Sequence, residues 1–282
     1  MDRRPTDDSI EPVLGEDSAI GDEGESQGSE LTRAWQARAW QGIPGLVHRF
    51  FGRVGGVSRG PWASLNLSPW VGDNAADVNA NWKVAQRTLP GLAGVVTMRQ
   101  VHGATVARVD NPVSAVDGVD GLFTNASGLG LGVLTADCVP ILMVAAQHRV
   151  AVAVHAGWRG TLAGIVRVAL HKARDELGLE PTAFQVALGP AIGGCCYEVG
   201  ADIGQSIEQR WGPLGDGWRP QGEKGRLDLR EVNRRMLLGM GVPEAAIELV
   251  GPCTACHLRS FFSHRGAAGT TGRQLSIVGW QE

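Results

Sequence analysis

Apolar positions recur along this chain in two patterns. Short runs rich in apolar and β-branched residues fall at 46–51, 95–98, 129–134, 139–145, 150–154, 184–188, 248–250 and 275–280. Their length and bounding turn residues predict strands, most of them buried on both faces. Between them lie segments with a helical repeat. Residues 76–89 place Val78, Trp82, Ala85 and Leu89 on one face and stop at Pro90-Gly91. Residues 161–177 place Leu162, Ile165, Val166, Ala169, Ala173 and Leu177 on one face, with Gly178 at the C-terminal cap. A helix is also predicted over 201–211. Another begins at Asp228, whose capping box is completed by Glu231, and ends at Gly241 before Pro243. The segments 55–61 and 116–121 are glycine-rich and predict turns. The first lacks the spacing of a phosphate-binding loop.

Strands and helices alternate irregularly, no internal repeat is visible, and 139–145 and 150–154 form one hairpin. This predicts an α/β (α+β) fold, a single-domain sandwich of mixed β-sheets flanked by helices, over residues 34–282. Composition changes the picture only at the start. Residues 1–30 hold ten acidic and two basic side chains and almost no large apolar ones, so residues 1–33 are expected to form a disordered acidic tail. The rest of the chain is then mildly basic. That balance suits a small anion such as phosphate; it is too weak for a nucleic-acid partner. No run is long and apolar enough for a membrane, and no signal segment is expected, so the location predicted is cytoplasmic. Five cysteines, an odd number, are then expected as thiols or metal ligands.

Candidate chemistry concentrates between Arg99 and Gly160. If the hairpin turns between Ala146 and Gln147, Cys138 stands directly opposite His155, with Cβ atoms about 4.5–5.5 Å apart. Pro140 weakens the ladder there and suggests a bulge or an edge. A thiolate and an imidazole so placed can share a metal ion or form a nucleophile–base pair; they can also be ordinary core residues. With His102 from a separate strand end they make a three-ligand set. Zinc takes such a set readily and keeps one position open. Asp137 is a candidate to orient a ligand or take a proton. Arg159 is the first candidate for an anion, with Arg99 and Arg265 behind it. Asn66, Gln100 and Tyr197 are further candidates for ligand contacts.

The runs Gly55-Gly56-Val57-Ser58, Ser64-Leu65-Asn66-Leu67, Gln100-Val101-His102-Gly103, Thr135-Ala136-Asp137-Cys138-Val139-Pro140, His155-Ala156-Gly157-Trp158-Arg159-Gly160, Cys196-Tyr197-Glu198-Val199 and Thr271-Gly272-Arg273-Gln274 occur in this order. In them the chain resembles the YfiH-like family, also called the laccase-domain or multicopper polyphenol oxidase family. The resemblance implies a Zn(2+) site at His102, Cys138 and His155. It implies purine nucleoside phosphorylase activity, in which adenosine, inosine, guanosine or methylthioadenosine and phosphate give free base and (methylthio)ribose 1-phosphate. It also implies adenosine deaminase activity, with Asn66, Gln100 and Tyr197 then as candidates for sugar or base contacts; a monomer or weak homodimer is expected. Alternatives within the same resemblance are a Cys–His hydrolase or peptidoglycan editing factor acting on cell-wall precursors, and a copper-dependent polyphenol oxidase. The last fits poorly with seven histidines, of which His48, His148, His171 and His264 lie outside the motif runs.

Two cysteine patterns stand apart. Cys253-Thr254-Ala255-Cys256-His257 has haem-attachment spacing but is expected to carry no haem, and as a metal site it lacks a fourth ligand. Cys195-Cys196 is expected to pack.

Overall fold

The computed structural model describes residues 34–282, and the predicted acidic tail over residues 1–33 lies outside the described residues. The strand-length apolar runs build two six-stranded mixed sheets. Numbered in chain order, the first sheet runs β1 (Ala34–Trp35), β2 (Leu46–Phe51), β15 (Gln274–Trp280), β7 (Leu129–Thr135), β3 (Gly94–Arg99), β5 (Ala115–Asp117). The second runs β14 (Ile247–Leu249), β10 (Gln185–Leu188), β8 (Val139–Ala145), β9 (Val150–Ala156), β6 (Gly121–Thr124), β4 (Val106–Arg108). A small antiparallel sheet of β11 (Glu198–Gly200), β13 (Lys224–Leu227) and β12 (Trp218–Gln221) sits beside them. The helices are α1 (Ala75–Gln86), α2 (Trp158–Ala163), α3 (Ile165–Leu177), α4 (Ala201–Trp211) and α5 (Leu229–Gly239).

Alternation along β8 and β9 explains the layering. Ile141, Met143, Val152 and Val154 point to one face and pack under α3 against Ile165, Ala169 and Leu170. Leu142, Val144, Ala151 and Ala153 point to the other and meet Leu131, Val133 and Val278 of the first sheet. The outer face of that sheet carries Val47, Phe51 and Ile277 and is covered by Leu65, Leu67 and Ala85. Because both sheets are covered on both faces, their central strands are buried along their whole length and mostly apolar, as the sequence pattern requires. The expected fold class is therefore the observed one.

Local signals hold where they are strongest. Asn74 caps α1 by accepting the N–H groups of Ala76 and Asp77, and Asp228 caps α5 by accepting those of Arg230 and Glu231. Four expectations need correction. The helix over 161–177 begins earlier and is broken in two at Gly164, whose φ of 82° belongs to the left-handed region. The stretch 116–121 is no mere turn; it contributes to β5 and β6. The hairpin β12–β13 carries no clear apolar alternation and escaped the sequence pattern. Finally, Pro140 lies in β8, an interior strand. It is tolerated because its ring nitrogen faces the end of β10, where only Gly189 N–H donates to the Pro140 carbonyl.

His48, on β2, is buried, and one ring nitrogen accepts the Ala37 N–H at 3.1 Å. Burial, aided by the neighbouring Arg49 charge, pushes its pKa down to about 4. The unfolded chain takes up this proton at about 6.5. The resulting stability is thus present above that value and is lost as pH falls through about 4, a swing of about 3 kcal/mol. His48→Gln, which keeps an acceptor, is expected to lose less stability than the parent between neutral pH and about pH 4. Urea unfolding at the two pH values measures the difference, and equal losses would refute it.

Candidate metal centre

The candidate residues gather at one end of the sandwich, where β3 and β9 end and β8 begins. His102 follows β3 of the first sheet. Cys138 precedes β8 of the second, just after the chain has crossed over from β7. His155 is the penultimate residue of β9. One ligand atom from each of the three lies within 4.8 Å of the other two. The His102 and His155 rings meet edge to face with centroids 4.8 Å apart. Cys138 and His155 share a sheet face as expected, but the register differs from the predicted one. Pro140 pairs with His155 and Val139 with Ala156, because the connection is a longer turn of Ala146–His148 with Arg149 left-handed at φ 51°. Cys138 is therefore diagonal to His155 instead of opposite it. Diagonal neighbours on one face remain within reach of side chains of this length.

The residue that organises this end escaped the sequence reading. Asp120 is fully buried at the entry to β6. Its carboxylate accepts the backbone N–H groups of Val101 at 3.2 Å, His102 at 2.9 Å and Gly103 at 2.7 Å. His102 adopts φ 60°, which turns the three N–H groups inward as a nest around the carboxylate. The same carboxylate lies 2.8 Å from His155 Nδ1. Asp120 thus fixes the loop that carries one histidine and the ring orientation of the other, leaving His155 Nε2 to face Cys138. Its only sequence signal is an Asp-Gly dipeptide, which elsewhere marks an exposed turn.

The electrostatics match a ligand set. Burial would raise the Cys138 thiol, but the His155 charge and hydrogen bonds from both histidines outweigh it and bring the pKa down to about 6. Burial would lower His155, yet the Cys138 thiolate and the Asp120 carboxylate bring it up to about 9. Asp120 is held below the usual carboxylate range, its burial offset by His155 and the nest. Cys138 is thus favoured as the thiolate and His155 as its imidazolium partner, and a zinc-like ion would displace the His155 proton and be held by the thiolate and the imidazole together. The three ligand atoms, all within 4.8 Å of one another, are near enough for small side-chain rotations to bring them to one ion at about 2.0–2.3 Å. Backbone crowding helps: a Cβ on Gly157 would approach Cys138 Sγ and His102 Cδ2 at 3.1 Å.

The remaining candidates divide. Tyr197 and Arg265 gather beside Cys138. The Arg265 guanidinium stacks on the Tyr197 ring at 5.1 Å and donates to the Glu198 carbonyl at 2.9 Å. Burial and the Cys138 charge push the Tyr197 hydroxyl up to about 12, with Arg265 and Arg159 opposing, so it stays a donor at neutral pH. Arg159, on α2, is exposed and lies over the Trp158 ring at 4.4 Å. Asp137, at φ 100°, accepts the Thr254 hydroxyl at 2.6 Å and the Arg265 N–H at 2.7 Å, which locks two distant loops beside Cys138.

Three candidates point elsewhere. Gln100 uses its whole amide on the Leu134 backbone, at 2.8 and 3.0 Å, extending the β3–β7 contact past its last ladder pair. Asn66 is fully buried and bonded to Ser68, Asp73 and the Arg273 N–H. Both are occupied by the scaffold, which opposes the expected sugar or base contact. Arg99 pairs with Asp117 at 3.5 Å and faces Trp70.

Fold and site together define a mixed α/β sandwich with a candidate His–Cys–His metal centre at one end. The profile of the family described as "Multi-copper polyphenol oxidoreductase laccase" matches residues 47–281. The chain belongs to this family, and the protein is an enzyme. It is 40% identical over 266 residues to the purine nucleoside phosphorylase YlmD of Geobacillus stearothermophilus, covering 88% of this chain and 96% of that one. It is 35% identical over 239 residues to the adenosine deaminase RL5 of an unknown prokaryotic organism, covering 80% and 90%. The crystal structure of Bacillus licheniformis hypothetical protein YfiH superposes with a TM-score of 0.83 at 30% identity, covering 91% of this chain and 99% of that one. Among the described residues, no helix is long and apolar enough to cross a membrane.

Proposed function

We propose that the protein is a zinc-dependent purine nucleoside phosphorylase that also deaminates adenosine, working in the cytoplasm. Adenosine, inosine, guanosine and methylthioadenosine are its proposed phosphorolysis substrates. The observation that carries this reading is the single His102–Cys138–His155 set, held by Asp120 and opening toward Tyr197, Arg159 and Arg265. The names of the relatives supply the substrate class, and the donor set suits one zinc ion. An ion held there supplies Lewis-acid activation of an oxygen nucleophile.

The chain's own groups do the rest. Arg159 and Arg265 hold the phosphate as fixed cations. Tyr197 donates its hydroxyl to the sugar or base. In phosphorolysis a phosphate oxygen bonds to the ribose anomeric carbon as the bond to the purine nitrogen breaks, and that nitrogen takes up a proton. In deamination water adds at the carbon bearing the amino group, and ammonia leaves. Asp137, Asn66 and Gln100 act at one remove, by fixing the loops that carry Cys138, Arg265 and His102.

Copper-based phenol oxidation is disfavoured by the residues themselves. A multicopper centre needs many histidines. Of the two groups of potential ligands among the described residues, only one contains any. A second reading treats Cys138 and His155 as a nucleophile–base pair, favoured by the depressed thiol. A panel of nucleosides on metal-quantified protein, with and without phosphate, tests the proposal. Base and ribose 1-phosphate should form only with phosphate, and adenosine should also release ammonia. Zinc-loaded protein that leaves adenosine and inosine untouched in phosphate would refute it, and turnover that survives chelation would favour the nucleophilic pair.

A further inference from the structure

The four cysteines outside the first centre come together. Cys195 and Cys196 lie in the loop between β10 and β11, and Cys253 and Cys256 lie in the loop after β14. Their four sulfur atoms lie within 4.8 Å of one another. Cys256 Sγ is 3.6 Å from Cys195 Sγ and 3.3 Å from Cys196 Sγ. The sequence offered Cys253, Cys256 and His257 as an incomplete ligand set and treated the adjacent pair as packing. The fold replaces His257, whose ring nitrogen lies 3.0 Å from the Cys253 carbonyl, with that adjacent pair.

We infer that these four thiols bind a second, structural zinc ion, distinct from the His102–Cys138–His155 centre. A tetrahedral zinc with Zn–S distances of about 2.3 Å has sulfur–sulfur edges of roughly 3.8 Å, close to the separations here. A disulfide needs two sulfurs at about 2.05 Å, and none of the five cysteines of the protein is so paired. Iron–sulfur clusters hold several irons and would spread four thiolates further apart than a single ion does. The backbone favours a thiolate at Cys253 as well. The N–H of Gly193 donates to Cys253 Sγ at 3.2 Å, and Cys253 and Cys256 have the Cys-x-x-Cys spacing of a zinc ligand turn. Gly193 packs directly against the cluster: a Cβ there would be in van der Waals contact with Cys195 Sγ at 3.4 Å and Cys253 Sγ at 3.8 Å. Cys195 and Cys256 are exposed, so an ion can enter without opening the core.

The ion clamps two loops that leave the paired strands β10 and β14, meet at an Ala191–Cys253 backbone bridge, and both serve the first centre. The residue after Cys196 is Tyr197, and the residue after Cys253 is Thr254, whose hydroxyl holds Asp137 beside Cys138. Four thiolates saturate a zinc ion, so this site has no open position and supplies no catalysis; it fixes where Tyr197 and Asp137 stand.

Metal content and spectroscopy test the assignment on the full chain, purified in reducing buffer and dialysed against metal-free buffer. Wild type should retain two zinc ions per chain; Cys138→Ser and Cys256→Ser should each retain one. Cys138→Ser removes the only sulfur of the first centre and reads the second alone. Exchanged with Co2+, it should show the intense sulfur-to-cobalt charge-transfer bands of a tetrahedral four-thiolate site, and adding Cys195→Ser should weaken them sharply. Free-thiol titration of the native protein should expose all five cysteines only after chelation. A single zinc that is lost in Cys138→Ser and kept in Cys256→Ser would overturn the inference. So would Co2+-treated Cys138→Ser protein without those bands, or recovery of the four cysteines as disulfides from reducing buffer.

Discussion

Cys138→Ala is expected to remove zinc from the first centre and to lower kcat/KM for adenosine by more than 100-fold. Losing a hydrogen-bond partner of a ligand alone costs roughly 10–100-fold, and this substitution removes a ligand itself. The sulfur is the only thiolate of the set, and its charge balances His155. The fold should survive. Cys138 sits at the rim, between sheets whose cores it does not join, and a methyl group replaces a small side chain. Circular dichroism and urea unfolding should therefore change little while zinc content and turnover fall together. Collapse of the fold would mark the centre as a structural module, and near-normal turnover would end the metal-centred reading.

Asp120 is expected to produce the second-largest effect, and one that splits by substitution. Asp120→Ala leaves three backbone N–H groups and the His155 ring without their shared acceptor in a fully buried place. Removing one partner of a buried charged pair costs about 3–5 kcal/mol, so urea unfolding should show a loss of that order. Asp120→Asn keeps the shape and one carbonyl acceptor but withdraws the charge that holds His155. It should fold with a smaller loss, while zinc affinity and turnover each fall by about 10–100-fold. Competition with a chelator measures the first and steady-state kinetics the second. If Asp120→Asn binds zinc as tightly as the parent, the carboxylate does not set the His155 ring.

Histidine and cysteine in otherwise apolar strands made the first centre visible early. The hairpin placed Cys138 and His155 on one face because side chains alternate with a strict period of two, and a shift of register by two residues preserves that face. The turn lies one residue later than the sequence pattern predicts, since Ala146–His148 form a helical turn that no glycine or asparagine signals. Asn66 and Gln100 drew attention as polar residues in conspicuous motifs. Their amides turned out to replace missing backbone pairing, a use that depends on which strand end lies opposite. Asp120 went the other way: a residue typical of exposed turns became the buried anchor of the site, since only the packing of the His102 loop against the entry to β6 excludes water from it.

Local pattern determined which segments are strands and helices, how α1 and α5 are capped, and which residues carry ligand chemistry. These follow from propensity, periodicity and side-chain donors, all short-range properties of the chain. Tertiary structure alone decided how those segments meet. His102 reaches Cys138 and His155 only because β3 and β8–β9 lie in facing sheets. Cys195 meets Cys256, 61 residues away, only because the loops after β10 and β14, two parallel neighbours, run to the same end of the sheet. Such contacts depend on how whole sheets stack and which ends they share, and no local spacing encodes that.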